Sequence, residues 1–443
     1  MVEPKSFKRR FDYSILNGYN DLMLIRQYAE LFRKGHYTPS ALIETCLQHI
    51  ERYEPKVHAW ESVDETQARN QAAQLTQELR QGHDRGPLHG IPVGIKDVFD
   101  IQGQITGAGV KDWSHTPARE DAWLVEKLRQ LGAILLGKTI TTPYAAFDPS
   151  VTRNPWDIQR TPGGSSSGSA AAVATGMCLA AIGTQTGGSI TRPAAYCSVC
   201  SCKPTYGTIS LAGVVPLAPS FDHAGFMAEN VADLRLFYEA ILGPLPEVPL
   251  PQLIYPTGSI LSKTTASVRQ LVHEIAERVN AKPTPLPREF DSVLTHHRTI
   301  MTRECAWIHG SRLAKSPSSY PPKISAFIEE GLRVDDNMMK IAKAFQGSFT
   351  ALMDRYLHDV VAILPATLDE PPLLDSTGDP SLNSPWSFTG QPTISVPIVI
   401  PTETLPVSVQ LVAARGQEAS LFAAAQFIEE KAGWLMPPYP NVD

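Results

Sequence analysis

The densest concentration of chemically useful residues is Gly163-Gly-Ser-Ser-Ser-Gly-Ser169, followed by Gly187-Gly-Ser189. Such a run suits neither a strand nor a helix interior. Glycine admits positive φ and close backbone approach, and each serine hydroxyl can both donate and accept a hydrogen bond. A phosphate-binding loop of the Walker type needs Lys after its last glycine, whereas Gly168 is followed by Ser169 and Ala170. A nucleophile elbow fits Gly164-Ser-Ser166-Ser-Gly168 in spacing. That elbow needs a hydrophobic strand just upstream, and Thr152 to Pro162 is polar and contains two prolines. A glycine–serine turn with no chemistry is the remaining alternative from these residues alone.

The run Gly163 to Ala174 continues through Gly183-Thr-Gln-Thr-Gly-Gly-Ser189 to Arg192-Pro-Ala-Ala-Tyr196 and Lys203-Pro-Thr-Tyr-Gly207. It resembles the amidase signature family. So do Gly90-Ile-Pro-Val-Gly-Ile-Lys96-Asp97 and the C-terminal segments Thr389-Gly-Gln-Pro-Thr-Ile-Ser-Val-Pro397 and Leu405-Pro-Val-Ser-Val-Gln-Leu411. The likeness extends from about residue 20 to about residue 430. It implies a catalytic triad of Lys96, Ser165 and Ser189, with Ser189 as nucleophile, Ser165 as proton relay and Lys96 as base. It also implies a cis peptide bond at Ser165, and an α/β amidase-signature fold, a large mixed twisted β-sheet covered by helices on both faces.

Those roles are chemically coherent. A serine hydroxyl attacks well only beside a base, and no histidine lies close to either serine along the chain; His223 is the nearest downstream. Lysine can serve when burial disfavours its charged form. Successive backbone N–H groups of Thr186, Gly187, Gly188 and Ser189 can form an oxyanion hole. Thr184 and Ser166 are expected as supporting hydroxyls, and Lys138 and Lys203 as structural lysines. The expected reaction is hydrolysis of a small carboxylic amide through acyl-Ser189, releasing ammonia or amine.

The chain departs from the family pattern after the glycines. Gln185 stands where many members carry an acid, and Arg192 lies three residues after Ser189 rather than two. Members acting on small carboxylate-bearing amides resemble this arrangement, and an arginine fork suits a carboxylate. Arg192 is therefore a candidate substrate-binding residue, with a structural ion pair as the alternative. The other functional alternative is a glutamine-hydrolysing amidotransferase subunit that feeds ammonia to a partner.

The elements that must position these residues follow from periodicity. Residues 21–85 read as helical, with Thr38 capping and Pro39 opening one helix and a polar helix over about 64–80. Ile91 to Phe99 reads as a buried strand, followed by a helix over about 121–131 and a strand from Ala133. Residues 169–182 read as an Ala-rich helix. The prolines of 243–257 mark a boundary rather than a strand. Residues 265–362 are helical in pattern. Strand-like runs return at 360–364, 393–400 and 407–412, before a last helix over 417–431. The expectation is one domain: an N-terminal helical region 1–85, a catalytic core 86–243, a variable, mostly helical insertion 244–362, and a return to the sheet over 363–443. Substrate choice is expected in that insertion and near Phe147 and Trp386.

Composition bounds the rest. With 43% hydrophobic and 19% charged residues and a net charge of −6 over 443 residues, the chain reads as a globular protein with no nucleic-acid surface. Lys8-Arg9-Arg10 reads as a solvated tail, with a targeting or anion-binding role as the alternative. Six scattered cysteines suit free thiols in a reducing compartment. Cys197-x-x-Cys200-x-Cys202 lacks a second ligand cluster for zinc, so neither metal nor cofactor is expected. Ala170–Gly183 is too short to span a bilayer, and no signal-peptide core is evident. These features point to a cytoplasmic enzyme with a small-molecule partner and no membrane association; a homodimer is the base-rate expectation.

Overall fold

A computed structural model of the chain describes residues 24–110, 113–398 and 405–432; Lys8-Arg9-Arg10 lies outside them. Eleven strands among the described residues form one mixed sheet. They are β1 (Trp60–Val63), β2 (Pro92–Lys96), β3 (Ile134–Thr139), β4 (Ala180–Gln185), β5 (Cys200–Lys203), β6 (His223–Ala228), β7 (Gln252–Thr257), β8 (Lys282–Pro285), β9 (Val360–Pro365), β10 (Thr393–Ile398) and β11 (Val407–Val412). Their order is β1-β3-β2-β4-β6-β5-β10-β11-β9-β7-β8. Strands β3, β2 and β4 run parallel, as do β9, β7 and β8, and antiparallel pairs join the two groups.

The central strands are buried along their whole length because helices cover them on two sides. Helices Ser167–Ala174 and Thr191–Cys197 pack on each other and on β2, β4, β5 and β10; helices Val231–Leu242 and Glu418–Ala432 form a second packed pair against β5, β6, β10 and β11. The helix Ser167–Ala174 is built from small residues for a steric reason. A Cβ on Gly168 would lie 2.1 Å from the Ala59 carbonyl oxygen and 2.5 Å from the Ile140 nitrogen. No residue larger than glycine lets this helix approach the backbone so closely.

The N-terminal helices form as expected. Thr38 accepts a hydrogen bond from Ala41 N at the start of Pro39–Val57, and Asp64 accepts one from Gln67 N at the start of Glu65–Arg80. Three elements differ from the sequence-based expectation. The Ala-rich helix stops at Ala174 rather than 182, and Ala180–Gln185 is β4. Alanine marks neither state by pattern; Gly176, at φ 65°, breaks the helix. Residues 252–257 are a strand despite their prolines. Only Gln252, Leu253 and Ile254 pair with β9, so Pro256 lies beyond that ladder, where its missing N–H costs nothing. The helical segment is thus tied to the sheet edge through β7 and β8. Within residues 21–85, β1 interrupts the helices and pairs with β3.

Candidate active site

Lys96 ends β2 and Thr184 and Gln185 end its parallel neighbour β4. Ligands in such sheets sit beyond the carboxyl ends of the strands, and the two glycine–serine segments converge there. Ser165 lies two residues before the helix Ser167–Ala174, and the Gly164–Ser165 peptide bond is cis. The loop Thr186–Ser189 leads from β4 into the helix Thr191–Cys197. Ser166 N donates to the Ser189 carbonyl oxygen at 3.2 Å, which joins the two segments. Gly183 makes the approach possible, since a Cβ there would meet Ser166 Oγ at 2.6 Å.

Lys96 is fully buried. Its Nζ lies 2.7 Å from Ser165 Oγ, 2.8 Å from Thr184 Oγ1 and 3.4 Å from the Thr184 carbonyl oxygen. Among the described residues no carboxylate forms an ion pair with it. Burial holds its amine well below the usual lysine range, opposed only by the more distant charge of Asp222. Burial thus favours the neutral amine, which lies at hydrogen-bond distance from a serine hydroxyl. Ser165 is also buried, whereas Ser189 is partly exposed, the one residue of Gly183–Tyr196 that is. Ser166 Oγ donates to the Thr184 carbonyl oxygen at 3.3 Å.

The other lysines are occupied. Lys138 Nζ lies 3.2 Å from Asp97 Oδ1 and 2.6 Å from the Phe99 carbonyl oxygen. Lys203 Nζ donates to the Gln391 carbonyl oxygen, and burial pushes its amine down to about 7.

The carbonyl oxygens of the Thr186–Ser189 loop are all engaged. They accept from His297 Nε2 at 3.1 Å, Ser387 Oγ at 2.9 Å, Arg192 N at 2.9 Å and Ser166 N at 3.2 Å, in chain order. Among the described residues, no acceptor is found for the N–H groups of Gly187, Gly188 and Ser189. Gln185 fixes the loop from within. Its Oε1 accepts from Ile190 N at 2.8 Å and Thr191 N at 3.0 Å, and its Nε2 donates to Ser387 Oγ at 3.2 Å. A neutral amide therefore does the capping that an acid could do at this position. Sequence reasoning missed His297, Ser387 and Asp222, since each lies far along the chain from the serines; Asp222 accepts from Thr186 Oγ1 at 2.6 Å.

Arg192 is buried beneath the loop. Its Nη2 donates to the Gly164 carbonyl oxygen at 2.8 Å, while Nε and Nη1 have no partner among the described residues. A cavity of about 90 Å³ adjoins Thr184, Thr186 and Asp222 and is otherwise walled by Ala145, Leu211, Val214, Val215 and their neighbours. Phe147 and Trp386 are not in that wall; Phe147 packs on Phe327 and Trp386 on Phe290. A separate groove of about 880 Å³ includes Asp64, Arg69, Asp97 and Lys138 and none of Lys96, Ser165 and Ser189. All six cysteines are buried free thiols. Among the described residues, no group of three or more His, Cys, Asp or Glu could hold a metal ion, and no helix is long and apolar enough to cross a membrane.

A family model described as "Amidase" matches residues 41–276. A glutamyl-tRNA(Gln) amidotransferase subunit of Desulfatibacillum aliphaticivorans is 40% identical over 227 residues, 50% of this chain and 47% of that protein. The protein of the same description from Roseiflexus castenholzii is 41% identical over 232 residues, 51% of this chain and 47% of that protein. The chain thus spans about half the length of the curated relatives it matches. A solved structure described as an amidase aligns with a TM-score of 0.86 and 32% identity, covering 93% of this chain and 100% of that one.

Proposed function

From the premise that this chain belongs to the amidase family, we propose that it hydrolyses the C–N bond of a small amide through an ester on Ser189. Ser189 Oγ attacks the carbonyl carbon as its proton passes to Ser165 Oγ and the Ser165 proton passes to Lys96 Nζ. The oxyanion of the tetrahedral intermediate is held by backbone N–H groups of the Thr186–Ser189 loop. Collapse breaks the C–N bond; the leaving nitrogen takes a proton back through Ser165 and departs as ammonia or amine. Water, deprotonated by the same relay, then cleaves the ester and releases the acid. The observation that carries this reading is the buried Lys96, with no ion pair among the described residues, 2.7 Å from Ser165 Oγ.

The cavity beside Thr184 supports a small acyl group, since about 90 Å³ is less than the ~150 Å³ that accommodates benzene. Apart from Asp222 and the two threonines its wall is aliphatic, which suits an uncharged group. Arg192 retains two donors without a partner among the described residues, so a carboxylate-bearing amide stays within the proposal, reached from the Gly188 side. The second reading, an ammonia-feeding amidotransferase subunit, is favoured by the description of the curated relatives.

The test is ammonia release from glutamine and from small aliphatic, acidic and aryl amides by the purified chain alone. Release from small amides, abolished in Ser189→Ala, is the expected result. Release from glutamine alone, or only with added partner subunits, would favour the second reading. Retained release in Ser189→Ala would end both. The same screen on Arg192→Ala should raise KM for acidic amides alone; an unchanged KM, or a uniform loss of kcat, would assign Arg192 to bracing Gly164.

A further inference from the structure

The Thr186–Ser189 loop is held from outside by side chains remote in sequence. His297 lies in the helix Val293–Lys315 and Ser387 in the helix Ser384–Phe388. In a trans peptide, the C=O of one residue and the N–H of the next point in opposite directions. Drawing the Thr186 carbonyl toward His297 therefore turns the Gly187 N–H the other way, and drawing the Gly187 carbonyl toward Ser387 does the same for the Gly188 N–H. Glycine offers no side chain to restrain either peptide, so the restraint must come from what the carbonyls bond.

We propose that His297 and Ser387 are positioning residues that aim the Gly187 and Gly188 N–H groups at the oxygen that becomes negative during acyl transfer. This rests on the acyl-Ser189 reading. A carbonyl only accepts, so His297 Nε2 carries the proton. The ring is 6% exposed and stacks on Phe221 at 4.7 Å between centroids, which fixes its orientation. Burial lowers its pKa to about 4, keeping the ring neutral in one tautomer. Ser387 is oriented by the Gln185 amide, so the residue that caps the helix after the nucleophile also sets the hydroxyl behind the loop. The helical segment thus reaches the reacting atoms through one hydrogen bond, with no side chain of its own in the chemistry.

The experiment measures the second-order rate at which a fluorophosphonate labels Ser189, since phosphonylation develops the same negative oxygen, together with kcat and KM for the best amide of the screen. Misaiming a donor should cost less than removing one, which typically costs ~10²–10³-fold. His297→Leu and Ser387→Ala should each slow labelling and kcat by about 10–100-fold with KM within about threefold and an unchanged melting temperature. His297→Gln, whose amide N–H can replace Nε2–H, should recover most of the rate. Labelling within about twofold of the parent in Ser387→Ala and His297→Leu would overturn the proposal, as would a loss carried by KM or no recovery in His297→Gln. If His297→Leu does not fold, Ser387→Ala and His297→Gln decide it. Labelling that persists in Ser189→Ala would instead overturn the acyl-Ser189 reading itself.

Discussion

Lys96 sets the proposed chemistry through its charge state. Its amine lies well below the ordinary lysine value because burial removes the solvation of the ammonium; Asp222 offsets only part of this. The neutral form is the active one. Activity is therefore fully present above the lowered pKa and is lost as pH falls through it. With an amide that does not titrate, kcat/KM should show an acid limb, and Lys96→Met should cut kcat by about 10³-fold and remove that limb. A limb that survives in Lys96→Met would assign the titration to another group. Lys96, Ser165 and Ser189 were singled out through the family resemblance, and the fold brings Lys96 and Ser165 within 2.7 Å of each other. Gln185 was legible only as a departure, and its capping of Ile190 and Thr191 required coordinates.

At the level of elements, the site depends on how closely the helix Ser167–Ala174 lies on its neighbours, because Ser165 and Ser166 lead directly into it. Gly168→Val should cost about 3 kcal/mol or more in a denaturant titration, since backbone atoms of Ala59 and Ile140 occupy the space. Gly347 is the control. It lies inside the helix Asp336–Tyr356 with nothing within 4 Å of an added Cβ, so Gly347→Ala should stabilise by about 0.5–1 kcal/mol. Equal losses at both positions would refute the close-packing account. The helices over 39–57 and 65–80 were legible from caps and periodicity, and β9 and β11 from their β-branched runs. The end of the Ala-rich helix and the start of β4 were not, because alanine suits both.

Across the whole molecule, the sheet brings together ionisable groups that no local pattern would pair. Glu229, at the end of β6, is buried near Asp233 and Glu429 of the two helices packed there. Burial first, then those two carboxylates, push its pKa up to about 8. Asp233 in turn accepts from Ile25 N and Arg26 N, docking the first described helix. A carboxyl raised in the folded state contributes stability that is present below its unfolded value and is lost as pH rises toward the folded one. Between about pH 4.5 and pH 8 the protein should lose stability through Glu229, by roughly a few kcal/mol at most. Glu229→Gln should therefore melt higher than the parent at pH 8 and equal to it at pH 4.5; a lower melting temperature at pH 8 would refute this.

Glycine–serine runs and β-branched strands are written locally, so the family resemblance and the mixed α/β class could be read before any coordinates; the three residues assigned the proton relay follow from that resemblance. The triad's roles remain a proposal, but Lys96 and Ser165 do meet. What stands behind them is set by packing between distant parts of the chain. The charged form of Lys96 is disfavoured because the fold buries its amine away from water. The Thr186 and Gly187 carbonyls find their donors in helices about 110 and 200 positions away. Burial and long-range hydrogen bonds are properties of the packed chain, and no spacing along the sequence encodes which distant side chain will fill them.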